Sequence, residues 1–320
     1  MTKIVPMSPD EAPVPSFEAP DDSPMSWLQD MAATIHELLL ARGAVLLHGM
    51  PMEGPDSLAR ARERLGFGGF TPTEVFNRRT DFGNGILSPI SWPQNRHICP
   101  LQESSFSTTY PSVVLTACVT PPEGAGRAHL SDARQMVRHL PTDLADAVRS
   151  SGWTMVRNFH GGFGLSWREA FSVPDRAALE DLFEAEEIQS EWFPSGLLHT
   201  VRRRPGFVKH PETGEECWFN QLAFLNAGSL DAAERGFMTK AFGRHLPMDT
   251  FFGDGSPLSE EDLAAIDDAY DATKVEIPWR RGDLLITDNI TMAHGRSAIE
   301  GSPEFLVALG RVFKGSQPLE

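Results

Sequence analysis

The sequence predicts a β-rich α+β fold, a two-sheet sandwich of the jelly-roll kind with helices set against it, in one domain over residues 25–320. Three observations carry that expectation. From about residue 100 the apolar runs are short and rich in β-branched and aromatic side chains. Gly, Pro and Asn punctuate them at turn positions, with helical segments in between. No repeat period and no second linker-like stretch divides the chain. With 320 residues, 41% of them hydrophobic, a core of this size removes roughly 75% of the unfolded surface from water.

The elements follow in order. Residues 1–24 hold six prolines among acidic and small residues, a mixture too poor in apolar area to offset chain entropy, and read as a disordered tail. Trp27, Met31, Ile35, Leu38 and Leu39 recur at helical spacing, and Gly43 stops the helix. A strand over 44–47 and a helix over 56–65 complete an α-β-α opening. Strands are then expected over 113–119, 153–159, 188–193, 217–219, 284–287 and 305–313. Helices interrupt them at 132–140, 175–185, 229–242 and 259–272, the last opening with Ser259 and Asp262 at capping-box spacing.

Charge and cysteine content narrow the function. Cys99, Cys118 and Cys217 are widely separated, which suggests neither a disulfide framework nor a structural zinc and fits a reducing cytoplasm. Acidic residues outnumber basic ones 44 to 28, giving a net charge of −16 that repels phosphate backbones, so nucleic acid is not an expected partner. Arg202, Arg203 and Arg204 form the basic cluster and read as a solvated strand end. No apolar stretch approaches 18 residues and no secretory leader opens the chain, so no membrane span is expected and the cytoplasm is the expected location.

The segment GDLLITDNITMAHGR, from Gly282 to Arg296, runs a strand into a turn that presents His294. Its pattern Gly-Asp-x-Leu-x-x-x-Asp-Asn-x-x-x-x-His-Gly-Arg resembles the distal-histidine segment of the TauD/TfdA family of iron(II), 2-oxoglutarate-dependent dioxygenases. Two further segments resemble that family in the same order: RTDFGNGILSPIS from Arg79 and ESSFSTTYP from Glu103. RNFHGGFGLSW from Arg157 and HPETGEECWFNQ from His210 look like the branch of syringomycin-type amino-acid hydroxylases. The resemblance spans about residues 40–312 and implies a double-stranded β-helix with flanking helices. It further implies Fe(II) and 2-oxoglutarate as cofactors, with Glu103 and His294 as catalytic residues and metal ligands.

Several positions depart from the pattern. A facial triad needs two histidines and a carboxylate. The first histidine would stand two residues before Glu103, where the chain has Leu101, so the metal is expected to be weakly held, or not used at all, unless His97, Cys99 or His129 swings in. The threonine that touches 2-oxoglutarate in the family falls on Ala128, and acidic Glu300 and Glu304 stand near the place of the anchoring arginine. Arg311, on the face shared with Val307 and Leu309 by strand alternation, or Arg296, is left to pair with the co-substrate.

Among the other polar residues, Arg79 either binds a substrate carboxylate, by analogy, or pairs with Asp81 or another acid. Asn220 and Gln221 either approach the substrate or satisfy sheet edges. His160 and His199 read as strand-end histidines, and Trp218 and Phe219 as core.

The leading expectation is an oxygenase-family enzyme of specialised metabolism, such as antibiotic biosynthesis. It would hydroxylate or desaturate an amino-acid-like substrate, free or carrier-bound. One alternative is a metal-independent, redox-neutral enzyme for cyclisation, elimination or isomerisation, with Glu103 and His294 as an acid/base pair. The other is a non-catalytic protein that binds the substrate or its carrier.

Overall fold

Strand alternation assembles two facing sheets in the computed structural model, which describes residues 14–124 and 126–314. The larger sheet has six strands in the order Ser16–Glu18, Ala44–His48, Leu284–Asp288, Thr109–Thr120, Glu304–Lys314 and Ile86–Leu87. Its first pair is parallel and the rest are antiparallel. The facing sheet orders Lys274–Pro278, Arg127–Asp132, Met292–Arg296 and Ile98–Leu101, all antiparallel.

In the Leu284–Asp288 strand, Leu284 and Ile286 turn to one side and meet Leu28, Ile35, Leu39 and Leu58 of the covering helices. Leu285 turns to the other side and packs with Leu46, Ala128, Leu130, Ile277 and Met292, joining the two sheets. A second antiparallel sheet system, Met248–Phe252, Trp153–Phe159, Leu198–Arg204 and Gln189–Trp192, stands beside this pair, with a hairpin of Phe207–Lys209 and Glu216–Trp218.

Most expected elements are present, with informative shifts. The first helix is two, Pro24–Asp30 and Ala32–Arg42, joined at Met31, which keeps a helical φ and so keeps Leu28 and Ile35 on one face. Gly43 ends the second at φ 77°, and an added Cβ there would meet the Met292 side chain at 2.7 Å. The helix expected over 132–140 is a single turn, Ala133–Met136, and a separate helix, Thr142–Ser151, begins after Pro141. The Ser259–Asp262 capping box opens Glu260–Ala272 as expected.

Two expectations are corrected. The tail is shorter than 1–24: Ser16–Glu18 pairs in parallel with Leu46–His48, and Val14 is only 4% exposed. Residues 1–13 lie outside the described residues. The arginine cluster is not a solvated strand end either. It lies in the Leu198–Arg204 strand, where alternation sends Arg203 outward and Arg202 and Arg204 inward to 2% and 6% exposure. Glu74 pairs with both Arg202 and Arg157, and Glu186 lies 3.9 Å from Arg204.

Candidate active site

The site begins with a backbone clamp. The loop that follows Ile98–Leu101 carries Glu103 to a cavity wall, where the buried Asn289 side chain holds it from both directions. Asn289 Oδ1 accepts the Glu103 N–H at 2.7 Å, and its Nδ2 donates to the carbonyls of Glu103 and Pro111 at 2.9 and 2.8 Å. Asp288 shapes the turn bearing Asn289 by accepting the N–H groups of Ile290 and Thr291, while its other oxygen lies 3.0 Å from His210 Nε2.

Arg79 reaches the same place from a hairpin-like loop. Gly83, Asn84 and Gly85 all take positive φ there, and the Arg62 guanidinium closes the turn with bonds to the carbonyls of Asn84 at 2.6 Å and Gly85 at 3.4 Å. The partner of Arg79 is Glu103, not Asp81. Its Nη2 and Nη1 donate to Oε1 and Oε2 at 2.5 and 3.2 Å, a two-pronged contact between nearly fully buried side chains. Burial alone would raise the Glu103 carboxyl, but Arg79, with His294 behind it, brings it down to about 2. Glu103 is therefore held as a carboxylate by Arg79.

His294 lies in the Met292–Arg296 strand, inside the sheet rather than on a turn, with Leu130 opposite on one side and Leu101 on the other. Its Nε2 is 3.8 Å from Glu103 Oε1, and its buried Nδ1 has no hydrogen-bond partner. Glu103, Arg79, His294 and Leu101 share a cavity of about 430 Å³ whose walls include Trp92, Val114, Trp279, Leu285, Phe305 and Val307. An apolar wall with a few convergent polar groups is the usual character of a small-molecule site.

The structure brings Glu103, His294 and Arg79 together, with Arg296 on the same cavity, and places Arg311, Asn220 and Gln221 elsewhere. Arg311 does not reach the cavity. Its φ of 57° breaks strand alternation, and its guanidinium pairs with Glu212 at 2.7 Å and approaches His36 at 3.4 Å. Arg296 lines the cavity, but its nitrogens donate to carbonyls of Trp92, Pro93, Gln94, Arg96 and Ser297, fixing the neighbouring turn.

Asn220 and Gln221 are buried away from the cavity. Asn220 bonds to the backbone at Gly206 and Leu222, and Gln221 donates to the Gln102 carbonyl at 2.7 Å, bracing the residue before Glu103. The clamping role of Asn289 is faint in the sequence. Its signal was a buried-type amide in the turn directly after a core strand.

The donor set does not fit iron(II) with 2-oxoglutarate. Leu101, 2% exposed, stands where the family resemblance puts a histidine ligand, and both Glu103 oxygens are engaged by Arg79. His129 lies 3.4 Å from Glu276, and Cys99 contacts Asp267 while burial pushes its thiol up. Among the described residues no group of three His, Cys, Asp or Glu side chains could hold a metal ion. Ala128 lines the cavity where the family resemblance puts a threonine hydroxyl, and the cavity's two arginines are already engaged.

The two facing sheets and this cavity bring one carboxylate, Glu103, and one histidine, His294, together on a wall of apolar side chains. A profile of the taurine catabolism dioxygenase TauD, TfdA family matches residues 4–309, and the chain belongs to that family. It is 28% identical over 276 residues to the dapdiamide synthesis protein DdaC of Enterobacter agglomerans, covering 86% of this chain and 84% of that one. A clavaminate synthase-like protein of Arabidopsis thaliana is 24% identical over 293 residues, covering 86% and 83%.

Among solved structures, an asparagine oxygenase in complex with Fe(II), 3-hydroxyasparagine and succinate superposes with a TM-score of 0.53 at 14% identity, covering 89% of this chain and 79% of that one. The PvcB protein of Pseudomonas aeruginosa gives 0.50 at 15% identity, covering 92% and 84%. These two likenesses show the fold. Among the described residues no helix is long and apolar enough to cross a membrane.

Proposed function

We propose that the 430 Å³ cavity takes an amino-acid-like small molecule of specialised metabolism, free or carrier-bound. On this reading the chain acts by proton transfer at His294, in a cyclisation, elimination or isomerisation that uses no resident iron. One observation carries the proposal: Arg79 spans both oxygens of Glu103, the carboxylate that the family resemblance makes a metal ligand, while Leu101 faces His294. The guanidinium supplies the charge that holds Glu103 ionised, with the His294 imidazole 3.8 Å away.

An imidazole can take and return a proton near neutral pH. His294 removes a proton from a substrate carbon. It then returns that proton to a second carbon in an isomerisation, or to the departing group in an elimination. The amino-acid-like substrate rests on the relatives, one a dapdiamide synthesis protein and one an oxygenase of asparagine. We read the paired sheets around this cavity as the jelly roll of the family, in the branch of the amino-acid hydroxylases.

A second reading, hydroxylation or desaturation with iron(II) and 2-oxoglutarate, is favoured by the retention of Glu103 and His294 on one wall. It requires Arg79 to leave Glu103. Anaerobic titration of the protein with iron(II) and 2-oxoglutarate separates the two. The proposal expects no visible charge-transfer band from the natural chain and a band from Arg79→Gln/Leu101→His, which frees the carboxylate and restores a third donor. A band at one equivalent from the natural chain overturns the metal-free reading. In parallel, proton exchange in deuterated water, followed by NMR over a panel of amino acids with chelator present, is expected for at least one substrate and is expected to vanish in His294→Asn.

A further inference from the structure

The two facing sheets close on each other along one edge and leave the cavity beside it. Leu285 and Leu130 belong to the apolar cluster that joins the sheets. One strand over on each sheet, Thr116 pairs with Leu285 and His294 pairs with Leu130. There the cavity of about 430 Å³ opens, lined by both Thr116 and His294. Sheets packed face to face lie about 10 Å apart, so the two residues approach the cavity from opposite sheets with room for a small molecule between them.

Thr116 is the polar member of an apolar wall, flanked on its own sheet by Val114, Leu285 and Val307. It sits in the middle of a central strand yet is only half-buried, and its hydroxyl makes no hydrogen bond among the described residues. The oxygen is not enclosed either, unlike His294 Nδ1. A free hydroxyl left open at such a position faces the cavity and is available to an occupant. The other polar groups of the lining are spent or peripheral. Ser88 accepts the Thr80 N–H and donates to the Pro89 carbonyl, and Arg79 and Arg296 are engaged as described above. Ser91, Gln94 and Glu304 are exposed. His129, next to Leu130, turns by alternation to the outer side of its sheet, where it meets Glu276 at 3.4 Å.

We propose that Thr116 is a second catalytic residue, donating a hydrogen bond to a carbonyl oxygen of the substrate, and that the labile proton lies on the carbon beside that carbonyl. This inference rests on proton transfer at His294. As the imidazole takes the proton, the C–H electron pair forms a C=C bond and the carbonyl π pair moves onto oxygen, giving an enolate. Thr116 keeps its own proton and shares it with that oxygen, and a fixed donor aimed where charge develops lowers the barrier. The carbonyl re-forms when the enolate takes a proton back on carbon or expels a leaving group with its electron pair, so no oxidant is consumed. A neutral hydroxyl on an apolar wall suits the carbonyl of an amide, thioester or ketone. A reacting carboxylate would call for an unengaged cation instead.

Two measurements on the full chain test this. The first is titration with 4-nitrophenolate, whose delocalised oxyanion on an apolar ring stands in for the enolate, followed by its absorbance. Saturable binding is expected, weaker by about tenfold or more in Thr116→Val and near natural strength in Thr116→Ser. Valine keeps the shape and removes only an unpartnered hydroxyl, so the melting temperature of Thr116→Val should be unchanged or raised. The second is proton exchange in deuterated water, followed by NMR with amino acids and their amides. Thr116→Val should lower kcat by about 100-fold or more with KM little changed, and Thr116→Ser should recover most of the loss. No saturable binding of the phenolate, equal affinity in Thr116→Val, or exchange that His294→Asn abolishes and Thr116→Val leaves unchanged would each overturn the role of Thr116 alone. No exchange by the natural chain overturns proton transfer at His294, and the catalytic role of Thr116 with it.

Discussion

Arg79 and Glu103 form a buried ion pair, and breaking such a pair leaves an uncompensated charge. Arg79→Ala is expected to destabilise the protein by about 3–5 kcal/mol, read from urea denaturation midpoints. The pair also sets a pH response with a definite sign. The Glu103 carboxyl lies at about 2 in the folded chain, below the ordinary 4.5. Its contribution is therefore complete above pH 4.5 and is lost as the pH falls through that range toward 2. The stability difference between the natural chain and Glu103→Gln should shrink over that interval and stay level above it. Glu103 and His294 were singled out in the sequence through the resemblance of their segments to the family's motifs. The partner of Arg79 was not, because an ion pair between positions 24 residues apart leaves no local pattern.

The loop that brings Arg79 to the site depends on a turn of three left-handed residues, and Gly85 is its tightest member. An alanine there would hold a φ of 69° and put its Cβ 2.8 Å from Arg62 Nη1, the atom that bonds the Gly85 carbonyl. Left-handed φ costs a non-glycine residue about 1–2 kcal/mol. Gly85→Ala should lose at least that much in urea denaturation and displace Arg79, whereas Gly83→Ala, with open space at its Cβ, should show only the backbone cost.

Elements with apolar periodicity were readable at this scale. The Leu198–Arg204 strand was not, because its buried arginines interrupt any apolar run, and burial there follows from pairing with Glu74 and Glu186 rather than from hydropathy. Arg311 failed for the opposite reason: period-two alternation assumes extended backbone, and its φ of 57° breaks that assumption.

The two-sheet body owes its closure to chain segments far apart in sequence, and its least legible part is the start of the chain. Composition made residues 1–24 a tail, since prolines and acids dominate and apolar residues are sparse. Yet a single strand needs only a few well-placed groups when an existing sheet edge supplies the partners. Ser16–Glu18 adds to the Ala44–His48 edge, with the Leu46 N–H donating to Pro15 and the Ala19 N–H donating to His48, both at 2.9 Å. Val14 fills a gap beside Ala44, Leu46 and Leu285, whose cluster joins the two sheets.

Burying a valine contributes about 1.5–3 kcal/mol, and each ladder bond adds about 0.5–1.5 kcal/mol. Removal of residues 1–18 should therefore lower stability by roughly 3 kcal/mol or more, and Val14→Asp in the full chain by a similar amount for the buried charge. A disordered tail predicts no change in either case. Urea denaturation of the truncated chain, the Val14→Asp chain and the natural chain distinguishes a strand that closes the sandwich from a segment that merely precedes it.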